Sequence, residues 1–274
     1  MPVSAGLPGA IRPDWPAPAG VSALMSSRQG GVSAAPFDSL NLRPPALPGG
    51  DPDDPQAVQQ NQQRFAAALG ASPRWLNQVH GATVLRLSTQ ADADQAADFH
   101  TAAMPTADAS ISTAPGLACA VLVADCLPVL FCTVDGSGVG AAHAGWRGLA
   151  AGVLDNTVAA LCQATGQPPD RLLAWLGPCI GPAAFEVGAD VLQAFGADPG
   201  QPDPALFLPH RRVDGSAAWL ANLPALARRR LAALGVDQVS GGAWCTVGDA
   251  SRFFSYRRDR RTGRLAAAIV RLGA

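Results

Sequence analysis

Cys126 and His143 lie within one stretch, VLVADCLPVLFCTVDGSGVGAAHAGWRGLAAGVLDNTV, the cysteine at the head of an apolar run and the histidine just before a Gly-rich turn. His80, in NQVHGATV, stands beside Gly81 at a break between two apolar runs. All three fall at the ends of elements, where side chains from separate segments can converge on one rim. Two imidazoles and one thiolate form a ligand set for Zn2+ that leaves a fourth position for water or substrate. The same residues permit other readings. A buried cysteine is ordinary core filling, and a histidine at a turn is commonly structural. Cys126 as nucleophile with His143 as base would need no metal at all. Spacing by itself leaves these open.

A rim needs a scaffold. Hydrophobic residues make up 48% of the 274 and charged ones only 15%, which suits one sizeable core. PGGDPDDPQAVQQNQQRFAAALG reads as a helix, with Asp54 as cap, Pro55 in the first turn and Gly70 as stop. ADASISTAPGLACAVLVADCLPVLFCTVD contains two or three β runs. An amphipathic helix is expected from about Arg147 to Ala164, then a strand in RLLAWLGPCIG. AAWLANLPALARRRLAALG reads as a helix broken near Pro224, and GRLAAAIVRL as a closing strand. Residues 88–107 read as an exposed Ala/Asp-rich loop. The order mixes strands and helices without a regular βα repeat. It points to an irregular arm over residues 1–20 and a single α/β (α+β) domain with mixed sheets over 21–274.

Composition also excludes. All 20 basic residues are arginine, which rules out a Walker-A lysine, a Schiff-base lysine and a pyridoxal-phosphate enzyme. A net charge of −1 leaves no electrostatic footprint for nucleic acid. No apolar run reaches membrane length, and the Pro-rich start lacks a basic region followed by an apolar one, so the expected location is the cytoplasm. The six cysteines form no C-x-x-C pair and no disulfide framework.

The segments NQVHGATV, ADCLPVLF, AAHAGWRGLAAGVL, LGPCIGPAAFEVG and FFSYRRDRRTGR, in that order, resemble the successive signatures of the YfiH family. SRQGGVSAAPFDSLNL and TADASIST fit the same pattern. Members of that family are also called laccase-domain proteins, or purine nucleoside phosphorylases of that family. The resemblance implies an α/β/β/α layered sandwich and a catalytic Zn2+ held by His80, Cys126 and His143. It also implies phosphorolysis of adenosine, inosine and methylthioadenosine, and deamination of adenosine.

Those activities need further groups. Phosphorolysis needs an anion seat. In HAGWRG the helix start offers free N–H groups and Arg147 a bidentate fork. Arg28, beside Gly30 and Gly31, and Arg257 with Arg258 in FFSYRRD are further candidates. Asn41 can bond a ribose hydroxyl or a base edge. Of Phe253, Phe254 and Tyr256, one can stack on a purine while two fill the core at alternating strand spacing. Cys179 in GPCIG reads as packing. Deamination needs a proton carrier. The H-x-E and P-C-x-x-C pattern of zinc cytidine-type deaminases is absent and the only glutamate is Glu186, so Asp125 is the candidate. The alternatives are a metal-free cysteine hydrolase acting on an amide or peptidoglycan precursor through Cys126 and His143, or a non-catalytic partner-binding protein.

The laccase label can be tested by counting ligands. A true laccase needs a blue-copper site and a trinuclear copper cluster, with histidine supplying most ligands. The chain has four histidines, and His80 and His143 are claimed by one centre, leaving His100 and His210. Cu2+ can replace zinc in such a centre. Zinc-loaded protein should show little phenol oxidation, and copper loading a slight rise without intense blue absorption. Binding of a full laccase copper complement with rapid reduction of oxygen to water would overturn this.

Overall fold

In the computed structural model of this chain the central strands are buried on both faces, which explains their near-continuous apolar runs. The structure describes residues 6–50, 52–88 and 104–273. Strand β5 (Ala118–Val123) sends Cys119, Val121 and Val123 into one core, and Ala118, Ala120 and Leu122 into another. Strand β13 (Leu265–Arg271) divides in the same way, with Leu265, Ala267 and Ile269 opposite Ala266, Ala268 and Val270. This is the period of two that a pleated strand imposes.

These two strands form the centre of a four-stranded sheet in the order β1–β13–β5–β2, flanked by β1 (Val21–Met25) and β2 (Pro73–Arg74). A six-stranded sheet lies against it. Its order is β12–β8–β6–β7–β4–β3, built from β3 (Val84–Leu87), β4 (Ala109–Ser112), β6 (Leu127–Thr133), β7 (Val139–Ala144), β8 (Leu172–Leu176) and β12 (Gln238–Gly241). Leu130, Cys132, Val139 and Ala141 face the first sheet, while Leu127, Val129, Phe131 and Ala142 face outward. Helix Pro55–Leu69 covers the outer face of the first sheet with Phe65 and Leu69. Helices Val153–Thr165 and Leu223–Ala233 cover the outer face of the second. The layers run helix, sheet, sheet, helix. A small third sheet joins β9 (Glu186–Val187), β10 (Phe207–Arg211) and β11 (Ala217–Ala221).

Local signals explain the first helix. The Asp54 side chain accepts from Gln56 N at 3.1 Å, Pro55 opens the first turn, and Gly70 ends it at φ 91°. Two expectations need correction. The helix expected from Arg147 to Ala164 is two helices, Trp146–Ala150 and Val153–Thr165, parted at Gly152, whose φ of 90° no right-handed helix accommodates. The broken helix in AAWLANLPALARRRLAALG is instead strand β11 followed by a helix that starts at Leu223. Asn222 caps it by accepting from Ala225 N at 3.1 Å, and Pro224 sits in the first turn, where a missing N–H costs nothing.

Residues 6–20 hold no helix or strand beyond the bridge Ile11–Met25, yet Ile11, Trp15 and Ala17 pack against the core between the sheets. His100 and most of the expected Ala/Asp-rich loop lie outside the described residues. Among the described residues no helix is long and apolar enough to cross a membrane.

Phe131, fully buried on a central strand, should be costly to truncate. Phe131→Ala is expected to lose about 3–5 kcal/mol, read as a lower urea midpoint at unchanged slope.

Candidate metal centre

The three proposed ligands meet at one end of the six-stranded sheet. His143 is the penultimate residue of β7 and pairs with Pro128 of β6. Cys126 precedes β6 directly and follows Asp125, whose φ of 93° turns the chain out of β5. His80 sits in the turn between β2 and β3 with φ 61°. One ligand atom from each lies within 4.8 Å of the others. Cys126 Sγ is 3.7 Å from His80 Nε2, and the two imidazole rings are 4.8 Å apart between centroids. Ligands at about 2.0–2.3 Å on a tetrahedral zinc stand roughly 3.3–3.6 Å apart, so the Cys126–His80 pair is already near that spacing and the cluster as a whole would have to draw together around an ion.

The residue that holds this arrangement is Asp108, which the reading of candidate residues passed over. It lies one step before β4, and His143 N donates to its carbonyl at 2.7 Å. This extends the β4–β7 ladder and puts the two side chains next to each other. Asp108 Oδ1 accepts from His143 Nδ1 at 2.9 Å and from His80 N at 2.8 Å, and Oδ2 accepts from Gly81 N at 2.7 Å and Val79 N at 3.2 Å. A carboxylate can only accept here, so Nδ1 carries the proton and Nε2 is left for a metal. The available signal was an acid at the head of the apolar alternation in ADASIS.

Two glycines complete the geometry. A Cβ on Gly145 would come within 2.9 Å of Cys126 Sγ and 3.0 Å of His80 Cδ2. A Cβ on Gly148 would meet the carbonyl of Gly81 at 2.8 Å. The HAGWRG segment therefore carries glycine where the short helix must lie against the ligands.

The charges are coupled. Burial disfavours the Cys126 thiolate, but His143 and then His80 outweigh it and pull the thiol down to about 6. Burial likewise disfavours the His143 imidazolium, but the Cys126 thiolate and Asp108 push it up to about 9. Burial also opposes the Asp108 carboxylate, yet the hydrogen bonds of His143 and Gly81 hold it below its usual range. Elsewhere burial alone drives Cys132 up to about 12, and Cys179, fully buried, is pushed well above a normal thiol by burial and the charges of Cys245, Cys126 and Asp125. Cys179 packs.

Not all the other candidates gather at the cluster. Asp125 adjoins it, but both its oxygens are engaged, by Thr246 Oγ1 and by Arg257 N, each at 2.6 Å. The Arg257 guanidinium reaches the Glu186 carbonyl at 3.2 Å and lies over Phe185. Arg147 is exposed and stacks on Trp146 at 4.2 Å, at the start of a helix of only five residues. Arg28 is spent on the Asp38 carbonyl and carboxylate and on the Ala250 carbonyl. Asn41 is 2% exposed and braces backbone. Phe253 and Phe254 are both fully buried, but in a loop and not on a strand. Tyr256 is 50% exposed and free to stack.

Comparison with known proteins shows the family. The family model described as multi-copper polyphenol oxidoreductase laccase matches residues 22–272. A purine nucleoside phosphorylase from Pseudomonas aeruginosa is 49% identical over 259 residues, covering 94% of this chain and 97% of that protein. The purine nucleoside phosphorylase YfiH of Escherichia coli is 49% identical over 261 residues, with the same coverage of 94% and 97%. The chain belongs to the YfiH family. Among solved structures, a Neisseria meningitidis protein of this family superposes with a TM-score of 0.81 at 44% identity, covering 97% of this chain and all of that one. YlmD from Geobacillus stearothermophilus gives 0.79 at 32% identity, covering 93% of each chain.

The coupled charges set a pH dependence. In metal-free protein, iodoacetamide should label Cys126 at neutral pH, with the rate falling as pH drops through about 6, where the thiolate takes up a proton. Asp108→Asn removes the negative charge that favours the His143 imidazolium, so the midpoint should move up toward that of an ordinary thiol. Peptide mapping by mass spectrometry reads both.

Proposed function

We propose that this chain is a zinc-dependent purine nucleoside enzyme that phosphorolyses adenosine, inosine and methylthioadenosine and deaminates adenosine. One observation carries the reading. His80, Cys126 and His143 converge with Asp108 fixing the tautomer, in a chain about half identical to relatives named purine nucleoside phosphorylase. Zn2+ suits one thiolate and two imidazoles, and Cu2+ is accepted by the same donors. When bound, the ion supplies a Lewis-acid position open to substrate.

In phosphorolysis a phosphate oxygen bonds to the ribose C1′ while the bond from C1′ to the purine nitrogen breaks. The electron pair leaves with the base, which takes up a proton. In deamination water adds at the purine C6 and ammonia leaves. The half-exposed ring of Tyr256 offers a face for the purine. Asp125 acts as a brace: by holding Thr246 and the Arg257 backbone it fixes the segment that carries Tyr256 beside Cys126.

A second reading has geometric support. Cys126, His143 and Asp108 stand in the order of nucleophile, base and orienting acid, as in a metal-free cysteine hydrolase acting on an amide. The second imidazole beside the sulfur favours the metal reading, because a dyad has no use for it.

The decisive experiment quantifies metal in protein purified without copper and incubates it with adenosine, with and without phosphate. About one zinc per chain is expected, with adenine and ribose 1-phosphate formed only when phosphate is present, and inosine formed without it. Cys126→Ala should abolish both reactions. Full nucleoside turnover after chelation would overturn the metal requirement. Protein isolated without metal and inert toward adenosine but hydrolysing an amide would support the cysteine hydrolase, and an inert zinc-loaded protein would favour a binding role.

A further inference from the structure

Arg43 and Arg264 lie far apart in sequence, yet their backbones are pinned to one side chain. Buried Asn41 accepts Arg43 N at 3.2 Å and Arg264 N at 2.9 Å on its single Oδ1, while its Nδ2 donates to Asp53 at 2.9 Å. Leu42 N adds a bond to the Arg264 carbonyl at 3.1 Å. The loop after β1 and the start of β13 are thereby tied together, with an arginine on each.

Among the described residues no carboxylate pairs with either guanidinium. Arg43 Nη2 donates to the carbonyls of Leu47, Pro48 and Gly49. Arg264 Nη1 donates to those of Thr262 and Gly263, both at 3.1 Å. Among the described residues Nε and Nη1 of Arg43, and Nε and Nη2 of Arg264, take no acceptor. Both side chains are half-buried. Burial and then the charge of Arg264 destabilise the Arg43 cation. Burial also destabilises the Arg264 cation, against the pull of Cys126, Asp125 and Tyr256; Tyr256 precedes Arg257, whose N–H bonds Asp125 next to Cys126. The Arg264 guanidinium is 6.0 Å from the Tyr256 ring. Two like charges on segments pinned to one side chain, with spare donors and no counterion among the described residues, are what an oxyanion would satisfy. The neighbouring Arg258, by contrast, is saturated by Thr246, Val247, Phe253 and Asp259.

We propose that Arg264, backed by Arg43, is the oxyanion seat of this centre and takes free phosphate. As the phosphate consumed in the reaction, this rests on the phosphorolysis reading. As a binding site, it stands on the arginine pair alone.

The test uses metal-loaded full-length protein. Inorganic phosphate is titrated by calorimetry without nucleoside, and the KM for phosphate is measured separately. Arg264→Ala should raise the phosphate Kd and KM about tenfold or more, the loss of a charge-assisted hydrogen bond. Arg264→Lys should recover part of this, and Arg43→Ala should give a smaller rise. Metal content and the KM for nucleoside should hold. Arg43→Ala also guards against a folding defect in the Arg264 variants. If wild type turns over no nucleoside but binds phosphate, and Arg264→Ala loses that binding, the seat stands and the reaction assigned above falls. Unchanged phosphate affinity in Arg264→Ala, a larger loss in Arg147→Ala, or a nucleoside 5′-monophosphate bound through Arg264 in place of phosphate would overturn the proposal.

Discussion

One buried carboxylate sets the positions of two of the three candidate metal ligands. Asp108 is fully buried and accepts from the His143 ring and from the backbone N–H groups of Val79, His80 and Gly81. An unpaired charge there would be prohibitively costly. With its lone pairs used, the carboxylate becomes a fixed point to which a strand and a turn are both fastened. The left-handed backbone of His80 is held in the same way, since the N–H groups on either side of it and its own all point to one acid. The imidazole beside Asp108 then favours the thiolate of Cys126, so ligand basicity follows from the same contact.

That contact requires the strands to be in register and the neighbouring helix to come close. The β4–β7 ladder pairs Ala109 with Ala142, which places Asp108 opposite His143. A slip of one residue would turn the acid to the other face of the sheet. The sandwich resists such a slip because both faces of its central strands are buried. On the outer side, Gly145 and Gly148 let the helix at Trp146–Ala150 approach the His80 turn without a side chain between.

The absence of lysine changes how cationic side chains are used. A guanidinium offers five donors in a rigid plane, and this chain uses many of them on backbone carbonyls. Arg228 holds Val239 and Gly241, Arg258 holds Thr246, Val247 and Phe253, and Arg271 holds Thr113 and Gly136. Arginine here is largely a clamp for loops. An arginine near a motif is therefore weak grounds for a substrate contact, and Arg28 shows why: each of its three nitrogens already donates to Asp38 or Ala250.

The sequence by itself determined local features and narrowed the candidate ligands. Asp54, Pro55 and Gly70 mark their helix because capping is decided within a few residues. The apolar runs announce strands, and His80, Cys126 and His143 stand out because they fall at the ends of apolar runs in a chain with four histidines and six cysteines. Only the tertiary structure decided which residues meet. Asp108 looks like any acid before a strand until β7 is paired beside it. Gly152 looks like a helix residue until its backbone is seen at positive φ. Whether an arginine clamps a loop or faces a ligand depends on which carbonyls the fold brings to its donors. Strand pairing and donor satisfaction join residues distant in sequence, and no local pattern encodes them.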